Sequence, residues 1–213
     1  MEKNNQYDYI FQNGSAVLPT GIEKVDIGIK DGLIKEIGNL SDCSIDCCAD
    51  SVIDCKGLHI LPGVIDSQVH FREPGLENKE NLESGMKAAA AGGVTCVFEM
   101  PNTNPLTITP EAIDDKLKRA SRVAWTDYAF YLGGTERTSS NLGEWENLKG
   151  TCGIKIFVGA STGDLITASD EEIEAVISNG RRVIAVHAED QYMMDKNKKE
   201  ILGDSTDVSM HCI

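Results

Sequence analysis

The sequence predicts an α/β fold: a small β region followed by parallel strands that alternate with helices. Two observations lead to this prediction. Over the first 60 residues, apolar and polar residues alternate in short runs, which is typical of half-buried strands. From Leu58 onward, short apolar runs alternate with segments of helical pattern. Strands joined by helices form parallel sheets with right-handed crossovers, so the second region is expected to be parallel α/β.

The N-terminal region, residues 1–60, is expected to form part of a small β-sandwich-like domain. Alternating residues flank the turn dipeptide Asp31-Gly32, which is a strong signal for a β-hairpin. Further short strands are predicted over residues 7–11 and 52–54. His59 is assigned to the first strand of the following region, where we expect a structural role for it.

Residues 61–213 are expected to supply the first five βα units of a barrel. Capping residues mark the helices: Gly92-Gly93 should end a helix over residues 80–91, and Thr109-Pro110 should begin a second helix. Ser169 with Glu172 forms a capping box at the start of another. Strands are predicted between the helices, over residues 59–66, 94–100, 123–132, 154–158 and 182–186.

Polar residues at the ends of these strands favour a TIM-type (β/α) barrel over a doubly wound sheet. In such barrels the active site lies at the carboxyl ends of the strands. Four of the predicted strands bring chemistry-bearing residues to that side or carry them within the strand: Asp66, His70, Arg72, Asn102, Lys155, His187, Glu189 and Asp190. No glycine-rich phosphate loop follows the first strand, which weakens the dinucleotide-binding alternative.

The composition excludes several classes of function. The formal charge is −14 at pH 7, and so acidic a surface repels phosphate backbones and anionic lipids. A small anionic substrate remains compatible with a locally basic pocket. The apolar runs are far shorter than the ~20 residues of a membrane span. The seven cysteines include no CxxC pair, so we expect neither a disulfide framework nor a zinc knuckle, and a reducing, cytoplasmic location.

The segment after the first barrel strand is the first candidate site. Alternate residues of an extended segment share a face, so Gln68, His70 and Arg72 are expected to point into one cavity. A lone histidine here is more often structural, and it is these neighbours that favour a functional role for His70. Arg72 and Asn102 together can clamp a carboxylate, because a guanidinium fork matches its geometry. Asn102 can equally be a simple turn former beside two prolines.

Lys155 lies inside an apolar strand, where burial of an ammonium is costly unless the charge is paired or neutralised. Three functional interpretations stay open: a base of lowered pKa, a Schiff-base amine, or a carbamylated lysine that acts as an anionic metal ligand. The alternative is a lysine that extends its amine to solvent at the strand end. His187, at the end of the fifth strand, is either a metal ligand oriented by Glu189 or Asp190 or a polar residue that precedes the next helix. His211, in the C-terminal tail, is expected to be structural.

Taken together, these motifs resemble dihydroorotase of the amidohydrolase superfamily. The resemblance runs through nearly the whole chain and rests on four segments: residues 61–75, Gly92-Gly93-Val94-Thr95, Met100-Pro101-Asn102-Thr103 and His187-Ala188-Glu189-Asp190. The Met-Pro-Asn-Thr segment favours dihydroorotases over the related hydantoinases and allantoinases.

The resemblance implies a metal-dependent barrel that reversibly hydrolyses the cyclic amide of dihydroorotate to carbamoyl-aspartate, a step of pyrimidine biosynthesis. It implies one or two zinc ions: His70 on the first, carbamylated Lys155 as the bridge and His187 on the second. Arg72 and Asn102 would hold the substrate carboxylate. A homodimer or a complex with aspartate transcarbamoylase is the expected assembly.

Two departures from the family pattern stand out. The first strand of the family ends in His-x-His, whereas this chain has Gln68 at the first position, and an amide oxygen is a weaker zinc ligand than imidazole. A full barrel takes roughly 250 residues, and we count only five barrel strands here. We therefore expect an incomplete barrel whose catalytic aspartate lies beyond residue 213, so that the chain alone is inactive. A non-catalytic homologue that serves as a scaffold, and an allantoinase or hydantoinase, are the alternatives.

Overall fold

The computed structural model describes residues 6–43, 49–159, 165, 167 and 169–202. The chain divides into two compact units, Met1–Pro62 and Gly63–Ile213. Each unit is described by itself. His211 and three of the cysteines, Cys47, Cys48 and Cys212, lie outside the described residues. In the described ranges, every helix is too short or too polar to cross a membrane.

The first unit contains two small sheets. Its strands are β1 (Tyr7–Gln12), β2 (Ser15–Leu18), β3 (Gly21–Glu23), β4 (Asp26–Lys30), β5 (Leu33–Gly38), β6 (Ala49–Asp54) and β7 (His59–Ile60). One sheet has the order β5-β4-β1-β6 and the other the order β3-β2-β7. The predicted hairpin is present between β4 and β5: Asp31 and Gly32 both have positive φ, as the tight turn between twisted strands requires.

The assignment of His59 to the first barrel strand is wrong. His59 lies in β7 and pairs with Ser15 of β2 in the first unit. The chain then passes through Leu61, Pro62 and Gly63 before the barrel strand begins at Val64. Proline lacks the N–H that a sheet ladder needs, so Pro62 interrupts what the apolar pattern presents as one strand.

The second unit alternates strands and helices as predicted. Its strands are β8 (Val64–Val69), β9 (Val94–Glu99), β10 (Asp127–Gly133), β11 (Thr151–Val158) and β12 (Ile184–Ala188). Its helices are α1 (Leu82–Ala91), α2 (Pro110–Val123), α3 (Leu142–Trp145, after a 3₁₀ turn at Ser139–Asn141), α4 (Asp170–Asn179) and α5 (Gln191–Asn197, which continues as a π-helix over Lys198–Leu202).

All five strands are parallel, in the order β12-β11-β10-β9-β8. Each strand therefore lies next to its neighbour in the chain, as in a (β/α) barrel, whereas a doubly wound sheet reverses its order at a switch point. The prediction of an incomplete TIM-type barrel is confirmed.

Capping side chains set the helix boundaries, as the sequence predicted. Thr109 accepts a hydrogen bond from the Ala112 N–H, and Ser169 and Glu172 form the predicted capping box. The first helix begins at Leu82 rather than at residue 80, because Asn81 is its N-cap and accepts from the Ser84 N–H.

The apolar core of the second unit lies between the sheet and its helices and includes Leu82, Ile113, Phe130 and Ile154. The first barrel strand is apolar in sequence, yet the structure does not bury it. Val64 is 51% exposed and Ile65 is 58% exposed. The reason is that β8 is an edge strand, which among the described strands pairs only with β9. An apolar sequence predicts burial only where a second neighbour covers the strand.

A buried carboxylate fixes the start of β12 at the amino-terminal side of the sheet. Glu146, fully buried after α3, accepts hydrogen bonds from the Arg181 N–H at 3.0 Å and the Arg182 N–H at 2.9 Å. The Arg182 guanidinium donates in return to the Glu146 carbonyl at 2.8 Å and to the Thr151 carbonyl at 2.9 Å. The last strand is thus held by charge-assisted bonds as well as by its ladder.

We expect Glu146→Ala to lower the free energy of unfolding by about 3 kcal/mol, because two backbone donors lose a charged acceptor inside the protein. Urea unfolding followed by circular dichroism measures the change. Glu144→Ala, two residues away and exposed, is the matched control and should stay within ~0.5 kcal/mol of the parent. Equal effects of the two substitutions would contradict the role given to Glu146.

Candidate active site at the carboxyl ends of the parallel strands

The candidate site residues lie on or just after four of the five parallel strands. His70 follows β8 directly, and Asn102 lies in the segment that follows β9. Lys155 is within β11, paired in register with Gly133 of β10 and Ala185 of β12. His187 is within β12, in register with Phe157. Because the strands are parallel, their carboxyl ends share one edge of the sheet.

A hydrogen bond joins the first two strand ends. His70 Nδ1 lies 2.8 Å from Asn102 Oδ1, and Asn102 is 8% exposed. An amide oxygen only accepts, so the histidine carries its proton on Nδ1, and Nε2 keeps a free lone pair. In the same arrangement the Asn102 amide nitrogen keeps both of its hydrogens for another acceptor. This hydrogen bond therefore leaves His70 Nε2 able to bind a metal ion, and it leaves the Asn102 amide nitrogen able to donate to another group.

The surroundings favour the neutral form of His70. Burial lowers its pKa most, and the positive charges of Arg72 and Lys155 lower it further, while the bond to Asn102 acts in the opposite direction. A neutral imidazole is the form that binds a metal ion.

Arg72 occupies an unusual backbone conformation in the loop after β8. Its φ is 67°, in the left-handed region that a residue with a side chain rarely adopts. Its side chain is half-buried, and within the described residues its guanidinium has no carboxylate partner. A guanidinium without a carboxylate partner remains able to bind an incoming carboxylate through two parallel hydrogen bonds.

Lys155 is 2% exposed and has no hydrogen bond or ion pair to its amine within the described part of the chain. The contact recorded for the amine is with the Phe157 ring, 4.8 Å from Nζ to the ring centroid. Burial lowers the pKa of Lys155 from its ordinary value, because the charged form loses its hydration. A lysine with an accessible neutral form is the chemical requirement for a nucleophilic amine or a carbamate.

His187 has an unsatisfied nitrogen. Its Nε2 is buried and has no hydrogen-bond partner of acceptable geometry among the described residues, although Glu189 Oε2 lies 3.1 Å away. Of the two carboxylates predicted to orient it, Glu189 is the neighbour, whereas Asp190 caps α5 by accepting from the Met193 N–H. A buried nitrogen without a partner is a free ligand position.

Gln68 and Asp66 lie on the exposed edge strand β8. The Gln68 N–H donates to Asp66 Oδ1 at 3.0 Å, and the Gln68 side chain is exposed. No described residue shares a side-chain hydrogen bond with Gln68. The structure therefore does not bring Gln68 into the His70–Asn102 pair.

The donors at this edge fit a zinc ion. His70 Nε2 and the unsatisfied His187 Nε2 are imidazole nitrogens, which zinc prefers, and Lys155 would become an anionic oxygen donor if it were carbamylated. Within the described ranges, no three His, Cys, Asp or Glu side chains come together as a ready metal site. The fit therefore depends on the modified lysine.

Two site-forming residues were missed by sequence reasoning. Lys116 of α2 and Glu99 at the end of β9 form an ion pair of 2.8 Å between Nζ and Oε2, and their side chains are 1% and 2% exposed. The signal is present in the sequence. Lys116 occupies the same helix face as the buried Ile113 and Ala120, and Glu99 ends an apolar strand. A charge at an apolar position indicates a buried partner elsewhere in the chain.

The chain is similar in sequence to known proteins. A family model described as dihydro-orotase-like matches residues 57–200. Curated relatives include a dihydroorotase from Thermococcus kodakarensis, 38% identical over 87% of this chain and 42% of its own length. They also include an allantoinase from Bacillus velezensis, 35% identical over 86% of this chain and 40% of its own length. The chain spans about two fifths of these relatives.

The fold is shared with solved cyclic amidohydrolases. An L-hydantoinase (dihydropyrimidinase) from Arthrobacter aurescens superposes with a TM-score of 0.86 at 31% identity, covering 96% of this chain and 46% of that one. A dihydropyrimidinase from Brevibacillus agri gives a TM-score of 0.73 at 27% identity, covering 93% of this chain and 44% of its own. The family match, the curated relatives and the shared fold agree: this chain belongs to the dihydro-orotase-like family of cyclic amidohydrolases.

Proposed function

We propose that this chain carries the substrate-carboxylate site and most of the metal ligands of a zinc-dependent dihydroorotase. The observation that carries the proposal is Lys155, buried within a strand without an anionic partner among the described residues, at the edge that also holds His70. A buried lysine of lowered pKa is costly to a fold, and carbamylation would turn it into an anion useful to a metal.

In this proposal the zinc ligands are His70 through Nε2, carbamylated Lys155 and His187 through Nε2. Zinc would supply Lewis acidity, which polarises an amide carbonyl and makes water a nucleophile near neutral pH. Asn102 holds His70 in the tautomer that leaves Nε2 unprotonated. Glu189 Oε2 lies 3.1 Å from the same His187 Nε2, so this carboxylate would stand next to the metal ion rather than behind the imidazole.

The proposed reaction is reversible hydrolysis of the cyclic amide of dihydroorotate. Water adds to the amide carbonyl carbon, the ring C–N bond breaks and the nitrogen takes a proton, which yields carbamoyl-aspartate. Arg72 and the Asn102 amide hydrogens bind the substrate carboxylate and orient the ring. The group that moves the proton in this proposal is an aspartate.

An allantoinase is the nearest alternative, because allantoinases and dihydroorotases match this chain at 35% and 38% identity. The Met100-Pro101-Asn102-Thr103 segment favours the dihydroorotase assignment, since it supplies Asn102, which together with Arg72 would hold a substrate carboxylate. Allantoin has no carboxylate group, and it would leave that pair without a partner.

A non-catalytic homologue is the second candidate, and Gln68 favours it. The family pattern has a metal-binding histidine at the position of Gln68. In this chain the Gln68 amide lies exposed on an edge strand. Such a protein would act as a scaffold, as a homodimer or in a complex with aspartate transcarbamoylase. Zinc content per subunit and dihydroorotate turnover of the natural gene product that contains this chain decide the matter. If the natural gene product contained no zinc and did not turn over dihydroorotate, a scaffold would replace the enzyme as the proposed function.

Arg72→Met should weaken dihydroorotate binding about 10- to 100-fold, because a charge-assisted hydrogen bond contributes about 1.5–3 kcal/mol. Isothermal titration or the KM of the natural gene product measures the change. Arg122→Met, on the exposed last turn of α2, is the control and should have no effect. Efficient turnover of allantoin with little turnover of dihydroorotate would overturn the dihydroorotase assignment.

Lys155 should form a carbamate that is detectable with ¹³C-bicarbonate by NMR. Carbon dioxide reacts with the neutral amine, and burial lowers the pKa of Lys155, so the signal should grow as the pH rises through this lowered pKa. The signal should appear at a less alkaline pH than for an exposed lysine. Lys155→Met should abolish it, and Lys118→Met, at an exposed position of α2, should not. A signal that survives in the Lys155 variant would contradict the assignment.

A further inference from the structure

The buried ion pair between Glu99 and Lys116 is bonded to the backbone of the segment that carries Asn102. Lys116 reaches from α2 to the end of β9, where its Nζ lies 2.8 Å from Glu99 Oε2. The same amine donates to the Met100 carbonyl at 3.1 Å. It also lies 5.2 Å from the centre of the Phe130 ring. The amine therefore fixes the backbone two residues before Asn102.

The same point of β9 is tied to β8. The Met100 N–H donates to the Val69 carbonyl at 3.0 Å, and Val69 immediately precedes His70. Glu99 and Val69 are register partners in the sheet. Met100 therefore has its N–H bonded to the strand that presents His70 and its carbonyl bonded to Lys116. Its orientation determines how the following turn approaches His70.

The turn itself is closed by its own hydrogen bonds. The N–H groups of Thr103 and Thr107 both donate to the Pro101 carbonyl at 2.9 Å. Thr103 Oγ1 lies 3.1 Å from Thr107 Oγ1 in the interior. These hydrogen bonds connect Thr103 and Thr107, which follow Asn102, to Pro101, which directly follows Met100.

Stability alone accounts poorly for a charged pair in this place. Removal of two charges from water largely cancels their attraction, and well-packed apolar residues of similar size are often as stable. Burial raises the pKa of Glu99 and lowers the pKa of Lys116, which is the cost of keeping both groups out of water. An apolar pair would fill the same space, but it would not hold the Met100 carbonyl.

We infer that Glu99 and Lys116 are positioning residues that hold Asn102 against His70 and so set the metal ligand and the substrate contact together. This inference rests on the proposed function, which makes His70 a ligand and Asn102 a substrate contact. Neither residue of the pair touches the substrate or the metal. They act through the Met100 carbonyl and the turn that follows it.

The test is the double variant Glu99→Leu/Lys116→Met, which replaces the pair with apolar side chains of similar volume. The tautomer of His70 is read from ¹⁵N imidazole shifts, which are tractable because the chain has four histidines. The signal of His70 is identified as the one that is missing from the spectrum of the His70→Gln variant. In the parent chain His70 should be almost entirely the Nδ1–H tautomer. In the double variant it should be a mixture, with zinc affinity lowered about tenfold and the urea midpoint unchanged.

The control is Asp114→Leu/Lys118→Met, which removes an exposed ion pair from the same helix and should leave tautomer and affinity as in the parent. Glu99→Gln, which keeps the volume and an acceptor for Lys116, should retain the single tautomer. An unchanged tautomer in the double variant would overturn the inference. Failure of that variant to fold cooperatively would also overturn it, because the pair would then be needed for the fold itself.

The His70 tautomer and the zinc affinity together distinguish failure of this inference from failure of the proposed function. If the parent chain binds no zinc and the natural gene product does not turn over dihydroorotate, the proposed function fails. The tautomer comparison between the parent and the double variant then still supports or overturns the positioning role. If zinc binds and the tautomer never changes, the proposed function stands and the positioning role is rejected.

Discussion

The candidate site depends on one hydrogen bond, between His70 Nδ1 and Asn102 Oδ1. The bond connects the ends of two neighbouring parallel strands. Its acceptor is the Asn102 amide oxygen and its donor is the His70 Nδ1–H. What remains free is a lone pair on His70 and two hydrogens on Asn102. The tautomer of the histidine and the orientation of the amide are thus set by a single contact, and every role proposed for the two residues follows from it.

Among the described residues of this unit two lysines are buried, and they differ in how their charge is accommodated. Lys116 lies between helix and sheet and meets Glu99 at 2.8 Å, so its charge is balanced within the protein. Lys155 lies within a strand at the edge that holds the site, and no described carboxylate pairs with its amine. A paired buried charge fixes geometry, whereas an unpaired one favours its neutral form and becomes available for chemistry.

The arrangement of the sheet explains both the site and the exposed apolar surface. Strands in sequential parallel order place all their carboxyl ends on one edge, where His70, Asn102 and His187 are presented. The same order leaves β8 and β12 as outer strands of the described sheet. Val64 and Ile65 on β8 and Val186 on β12 are exposed for this reason. The relatives, of which this chain spans about two fifths, share the fold over that length.

The sequence by itself determined the element types, most of the helix caps, the barrel class and the candidate site residues other than Lys116 and Glu99. These features depend on neighbours within one or two turns of chain: Thr109 with Ala112, Ser169 with Glu172, Asp31 with Gly32. The motifs also sufficed to indicate the family. Only the tertiary structure decided which polar atoms meet. His70 and Asn102 are 32 residues apart, and no local pattern specifies which of their atoms pair. It also decided that Lys116 has a partner, and that β8 is exposed, because burial depends on what lies beside a strand.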